Sequence, residues 1–175
     1  MLGRSYDQQV CSIARALEVV GERWTLLIIR DALFAHATRF NDFQHNLGLA
    51  TNVLKTRLDS LVAAGLMERH PSGSKARSDY WLTEKGRDLA PALIALTAWG
   101  DRWASPDGPP VLYRHTKCGG PVAQALVCAS CGEIPIAEVG VRPGSGMPAE
   151  YLAARRPRRG PEHGPISKGV MAAGG

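Results

Sequence analysis

Three cysteines and a histidine fall at a spacing that serves metal chemistry. His115-Thr116-Lys117-Cys118-Gly119-Gly120 precedes Cys128-Ala129-Ser130-Cys131-Gly132, an H-x2-C pair and a C-x2-C pair with nine residues between them. Two short-spaced pairs, each biting from a tight turn, are how tetrahedral structural zinc is held. The glycines after Cys118 and Cys131 permit turns in which backbone amides point at thiolate sulfur. Zn2+ is therefore the expected cofactor, with His115, Cys118, Cys128 and Cys131 as ligands. The fourth ligand stays open, because His163, an acidic side chain or water also satisfies the count. Four protein ligands make a structural site, and an open position makes one that senses metal or thiol oxidants. A deaminase reading fails, since Lys117 stands where H-x-E needs its glutamate and Val127 where P-C-x-x-C needs its proline. A thioredoxin-like reading fails as well, because no βαβ pattern surrounds Cys128. Cys11 stands apart, at the start of a helix, where the helix terminus favours thiolate and reactivity toward oxidants. Its competing reading is a small apolar residue packed near a subunit interface.

A second constellation suits a nucleic acid. On a helix from about Ala50 to Ala64, the face opposite the leucines collects Thr51, Asn52, Lys55, Thr56 and Asp59, with Arg57 on the flank, near the DNA backbone. Short polar groups and one lysine at a helix start match base edges in a major groove. Thr38 and Arg39, opening the preceding helix, are placed to hold phosphate. Lys75 and Arg77 sit at the tip of a Pro-, Gly- and Ser-rich loop from which they reach the backbone of a neighbouring groove.

These side chains need a frame. Phe40, Phe43 and Leu47 give the helix at 38–47 one apolar face, and Gly48 ends it. Leu54, Leu58, Leu61 and Val62 stripe the second helix, and Gly65 suits its left-handed cap. Two short strands at 66–69 and 80–83 then form a wing. Upstream, Ile13, Leu17 and Val20 make an amphipathic helix ended by Gly21. Trp24 to Phe34 is apolar nearly all round, as befits the centre of a small core, and these two helices should pack behind the DNA-facing pair. Downstream, Thr83 can N-cap a helix with Glu84 in its first turn. Pro91 bends that helix or divides it in two. Leu89, Leu93, Leu96 and Trp103 then follow near-heptad spacing with Trp99 beside them, a stripe costly to leave in water that reads either as intramolecular core or as a dimer interface. Strands flanking the cysteine pairs, at 111–113, 125–127 and 134–136, complete a zinc-ribbon-like hairpin. A unit that small needs such a staple.

The stretch from Cys11 to Arg30, through Gly21-Glu22-Arg23-Trp24, resembles the opening of the HxlR-type winged-helix regulators of bacteria. Arg39-Phe40-Asn41-Asp42-Phe43, Asn52-Val53-Leu54, Arg57-Leu58, Leu66-Met67-Glu68-Arg69 and Leu82-Thr83-Glu84-Lys85-Gly86 continue the likeness in order. The resemblance covers about residues 5 to 104. It implies a homodimeric transcription factor that binds double-stranded DNA at an inverted repeat, and the regulator is read as more a repressor than an activator. It also implies that Cys11 matches the N-terminal cysteine of redox-sensing members.

The resulting fold class is mainly α with a small β wing. A winged helix-turn-helix domain at 5–104 precedes a zinc-ribbon-like unit at 111–139 and a basic, Gly- and Pro-rich tail at 140–175, read as disordered. Formal charge is +5 over 175 residues, but Arg155, Arg156, Arg158, Arg159 and Lys168 in the tail account for most of it, so charge alone argues weakly for DNA. The N-terminus lacks an apolar secretion core, and the longest apolar run, Leu26 to Ile29, is too short for a bilayer. The expectation is a cytoplasmic, non-membrane, non-enzymatic protein whose inducer is not written in the chain. A rival of another class is an interaction module, in which the ribbon binds a partner protein and the winged helix is only a scaffold.

Overall fold

The structure, a computed structural model, describes residues 6–7, 9–71, 73 and 78–154. Lys75 and Arg77 of the wing tip, His163 and the basic cluster of the tail lie outside the described residues. The described residues form two compact units, one ending at Gln124 and the other beginning at Ala125. The boundary falls inside the segment read as one ribbon. The reason is that Tyr113 packs edge-on against Phe34 at 4.9 Å, and Gln124 donates to the carbonyl of Pro91.

In the first unit the order is α1 (Ser12–Val20), α2 (Thr25–Phe34), α3 (Phe40–Leu47), α4 (Thr51–Ala63), β1 (Met67–Pro71), β2 (Ser78–Leu82), α5 (Glu84–Arg87) and α6 (Ala90–Trp103). The core gathers Ile28 and Ile29 of α2, Phe43 of α3, Leu54, Leu58 and Leu61 of α4, and Leu66 and Met67 at the wing. Each such large side chain removed from water contributes about 1.5–3 kcal/mol. Gly48 at φ 62° and Gly65 at φ 69° end α3 and α4 in the left-handed region, and the Leu66 N–H closes onto the Leu61 carbonyl at 2.9 Å. That closure turns the chain from α4 directly into the wing.

The wing strands pair antiparallel from Met67↔Leu82 to Pro71↔Ser78, reaching further toward the tip than 66–69 and 80–83. Their inner ends take other work. Thr83 accepts the Gly86 N–H at 3.2 Å as the N-cap of α5 and donates to the Gly65 carbonyl at 2.7 Å. Gly86 is obligatory there, since a Cβ would lie 2.2 Å from the Leu66 carbonyl oxygen. Pro91 divides the downstream helix into α5 and α6 and sits in the first turn of α6, where its missing N–H costs nothing.

Two departures from the sequence reading have clear causes. The third helix begins at Phe40, not Thr38, because Tyr80 donates its N–H to the Thr38 carbonyl at 2.7 Å and Arg39 bridges Asp79 as an extra extended residue. Helix α1 buries only Ala14 and Val20, leaving Ile13 and Leu17 exposed, so its apolar face joins the core only at its C-terminal end, through Val20.

In the second unit, β3 (Leu126–Cys128) pairs antiparallel with β4 (Gly132–Ile134). A single 3-10 turn at Ile136–Glu138 and a short α7 (Ala149–Ala154) follow. Among the described residues no helix is long and apolar enough to cross a membrane.

Candidate nucleic-acid interface and metal-ligand pairs

Helix α4 carries its leucines inward and its polar residues outward. Leu54, Leu58 and Leu61 are buried, while Thr51, Asn52, Lys55 and Thr56 are exposed on the other side. Lys55 pairs with Asp59 at 2.6 Å one turn on. An exposed i,i+4 pair is worth only about 0.3–0.5 kcal/mol, so it restrains the Lys55 ammonium little. Thr56 donates its hydroxyl to the Asn52 carbonyl at 2.9 Å, which leaves the hydroxyl oxygen able to accept. Thr51 is held by Gln44 of α3, whose side-chain amide donates at 3.0 Å. Gln44 is a positioning residue that sequence reasoning missed, although its polar type on an otherwise apolar-faced helix was the available signal.

The surrounding cations divide by partner. Arg39 is largely exposed and lies 4.0 Å from Asp79, at the limit of an ion pair. Its backbone N–H goes to the Asp42 carboxylate at 3.2 Å, which caps the start of α3. Thr38 is half-buried beside it. Arg69 on β1, not singled out from sequence, is exposed and donates to Ser78 across the wing at 2.9 Å. Arg57 is the cation expected near the DNA backbone. It bonds Glu22 at 2.9 Å with its side chain only 25% exposed, so the structure gives it an internal partner.

The stripe on α6 is also split. Leu93 is buried and Leu89 packs against the same core, so these two close the domain. Leu96, Trp99 and Trp103 remain 52%, 62% and 66% exposed, with the Arg102 guanidinium over the Trp103 ring at 4.7 Å.

The two metal-ligand pairs are each formed within their own unit. In the first, His115 Nδ1 lies 3.1 Å from Cys118 Sγ, on a turn that Gly119 closes at φ 70°. The N–H of His115 reaches the Gly120 carbonyl at 2.8 Å. In the second, the N–H of Ser130 chiefly, then the thiol and N–H of Cys131, pull the Cys128 thiol below its ordinary value. The same thiol–thiol hydrogen bond pushes Cys131 up. Amides aimed at one sulfur on a C-x2-C turn are the arrangement that a metal thiolate uses, and Gly132 at φ 85° permits it. Among the described residues no group of three or more His, Cys, Asp or Glu is gathered around one point. Cys11 is exposed at the N-cap of α1. The N–H groups of Ala14 and Ile13, aided by the Arg15 charge, hold its thiol below the usual range.

A helix, a tight turn, a second helix with an open polar face and an antiparallel hairpin define a winged helix-turn-helix DNA-binding module. The model of the HxlR-like helix-turn-helix family matches residues 19–108, and the chain belongs to that family. It is 46% identical over 146 residues to an uncharacterised HTH-type transcriptional regulator of Mycobacterium tuberculosis (strain ATCC 25618 / H37Rv), covering 82% of this chain and 92% of that one. A continuous match of that extent includes residues 111–139, so the likeness runs past the winged helix into the cysteine-bearing segment. An uncharacterised HTH-type regulator of Mycobacterium bovis matches equally. Among solved structures, PA1607, a candidate transcription factor, superposes with a TM-score of 0.70 at 37% identity, covering 78% of this chain and 97% of that one. PA1374 of Pseudomonas aeruginosa, also a candidate transcription factor, gives 0.60 at 38% identity, covering 82% and 99%. The chain is a DNA-binding regulator of transcription, and its relatives are regulators rather than enzymes.

Proposed function

We propose that the protein is a homodimeric, sequence-specific repressor that reads an inverted-repeat operator with α4 and steadies itself on flanking phosphates with the wing. The observation that carries this reading is the open polar face of α4, with Thr51, Asn52, Lys55 and Thr56 exposed over a fully buried leucine stripe. Base edges are met by Asn52 and Lys55, whose amide and ammonium groups match adenine and guanine patterns. Thr38, Arg39 and the wing cations supply sequence-independent attraction.

The dimer reading is supported by the exposed Leu96, Trp99 and Trp103 of α6, together with Ile13 and Leu17 of α1. Leaving two tryptophans and three aliphatics in water is unfavourable, and a second copy of the chain removes them from it. Selection of bound duplexes from a random-sequence pool should return two half-sites about one helical turn apart, roughly 10 base pairs, in inverted orientation. A single half-site, together with a monomer in sedimentation at micromolar concentration, would refute the dimer. Repression is checked by a reporter joined to the selected site, which should rise when the regulator is removed.

For the cysteine pairs the proposed occupant is Zn2+, held by His115, Cys118, Cys128 and Cys131. The support is their sequence spacing and the geometry of each pair taken separately. Ligand bonds of about 2.0 Å to nitrogen and 2.3 Å to sulfur in a tetrahedron place N and S about 3.5 Å apart. The His115–Cys118 pair at 3.1 Å needs only a small opening. Zinc bound here supplies a cross-link, not a reaction. Metal analysis of purified protein should return zinc, and none would end the reading.

A further inference from the structure

Glu22 occupies the corner between α1 and α2, and both of its carboxylate oxygens are used. One accepts the backbone N–H of Trp24 at 3.2 Å, at the entry to α2. The other accepts Nη2 of Arg57, on α4, at 2.9 Å. The corner itself is rigid. The Gly21 N–H bonds the Leu17 carbonyl at 2.8 Å, and the Thr25 N–H bonds the Glu22 carbonyl at 2.9 Å. A side chain at Gly21 would collide with the Leu17 backbone, its Cβ lying 2.4 Å from that carbonyl oxygen, so nothing larger places Glu22 where it is.

Arg57 follows the groove-facing Thr56 and precedes the buried Leu58. It therefore sits on the seam between the reading face of α4 and the core. Its Nε is buried and has no hydrogen-bond partner, so the Glu22 contact at Nη2 is what compensates a partly desolvated guanidinium. A charge held in that way is directional. The buried leucines fix how deep α4 sits, but apolar packing tolerates small rotations about the helix axis, and a charged hydrogen bond to a carboxylate that is itself anchored on the Trp24 N–H resists them.

We infer that Glu22 and Arg57 form a strut that sets the roll of α4 on the body of the domain, so that Asn52 and Lys55 meet base edges in register. Both are positioning residues, since neither touches a base. The inference rests on the reading of α4 as the groove-facing helix. Base contacts must be held to within about 0.5 Å and 10–20° to discriminate, so loss of the strut lowers specificity more than it lowers total affinity. It also ties the corner between α1 and α2 to the recognition helix.

The test measures the full chain on two duplexes, one selected from a random-sequence pool and one of the same composition with its order shuffled, each over a range of salt. Four variants are compared with the parent: Glu22→Ala, Arg57→Ala, the double substitution, and Lys55→Ala. Glu22→Gln, which keeps an acceptor for the Trp24 N–H, stands in should Glu22→Ala melt at the assay temperature.

Under the strut, Glu22→Ala and Arg57→Ala each lower the ratio of selected to shuffled affinity by about tenfold, one well-made base contact. The double substitution is no worse than either alone, and binding to the shuffled duplex and its salt slope are unchanged. If instead Arg57→Ala weakens both duplexes alike and reduces the salt slope by about one, as loss of a phosphate contact does, while Glu22→Ala is silent, Arg57 is a phosphate ligand and the strut is wrong. Silence of both substitutions also overturns it. Lys55→Ala separates the two levels of the argument. If it too leaves the ratio unchanged, the reading of α4 fails and the strut falls with it. If it lowers the ratio while Glu22→Ala does not, only the strut fails.

Discussion

The winged-helix body and the cysteine-bearing segment are held together by different physics. The body places Ile28, Ile29, Phe43, Leu54 and Leu58 wholly out of water, and its elements are closed by caps such as Thr83 and Gly65. Past Leu93 no described residue is buried. In the second unit Val127 and Ile136 are more than half exposed, and order rests on a three-residue strand pair and a C-x2-C turn. The comparison teaches where each part is vulnerable. Apolar burial sustains the first, while the second needs ligand bonds or a covering partner to offset chain entropy.

The largest expected effect breaks the body. Phe43→Ala should cost about 3–5 kcal/mol of unfolding free energy, read by urea titration, because the ring is fully buried between α2, α3 and α4. A loss below about 1 kcal/mol would mean that the core does not work as described. Cys128→Ser, or a strong chelator, should next release the proposed zinc and the amide-exchange protection of residues 125–139, while the thermal midpoint of the body holds. Coupled loss of both would erase the distinction between the two regions. A smaller change is expected from Thr83→Ala, about 1 kcal/mol, since that hydroxyl caps α5 and closes the end of α4.

The smallest effect concerns Cys11. Its thiol is held below the ordinary value by helix-terminal N–H groups, so the thiolate persists to lower pH in the native chain than in the unfolded one. Alkylation of Cys11 near neutral pH should therefore be faster before addition of urea than after, once corrected for the effect of urea on a free thiol. The reverse order would remove the helix-terminus account.

Much of this division was legible in the residues. The spacing of Leu54, Leu58 and Leu61 located α4 and both of its faces, and Pro91 announced the break between α5 and α6. Those signals are local, carried by periodicity and by residues with special backbone demands. What escaped was long-range pairing. Thr38 and Arg39 looked like a helix start, but the edge of β2 takes them as extended chain. Arg57 looked free on a helical wheel, yet its partner lies 35 positions earlier, at Glu22, and no periodicity reports such a contact. Leu93 fitted the dimer stripe by spacing and belongs to the core, because the near-heptad repeat does not say which turn of α6 leaves the domain. The H-x2-C and C-x2-C pairs were found by spacing alone, and their turns at Gly119 and Gly132 adopt the left-handed backbone that those glycines suggested.

The reading helix is the claim on which the rest depends, and affinity on a selected duplex against a shuffled one tests it most directly. Asn52→Ala and Lys55→Ala should each lose about 1–3 kcal/mol on the selected sequence and relax discrimination at one base position. An exposed control on the wing, Arg69→Ala, should instead weaken both duplexes alike. Equal binding of the Asn52 and Lys55 variants to both duplexes would contradict the account.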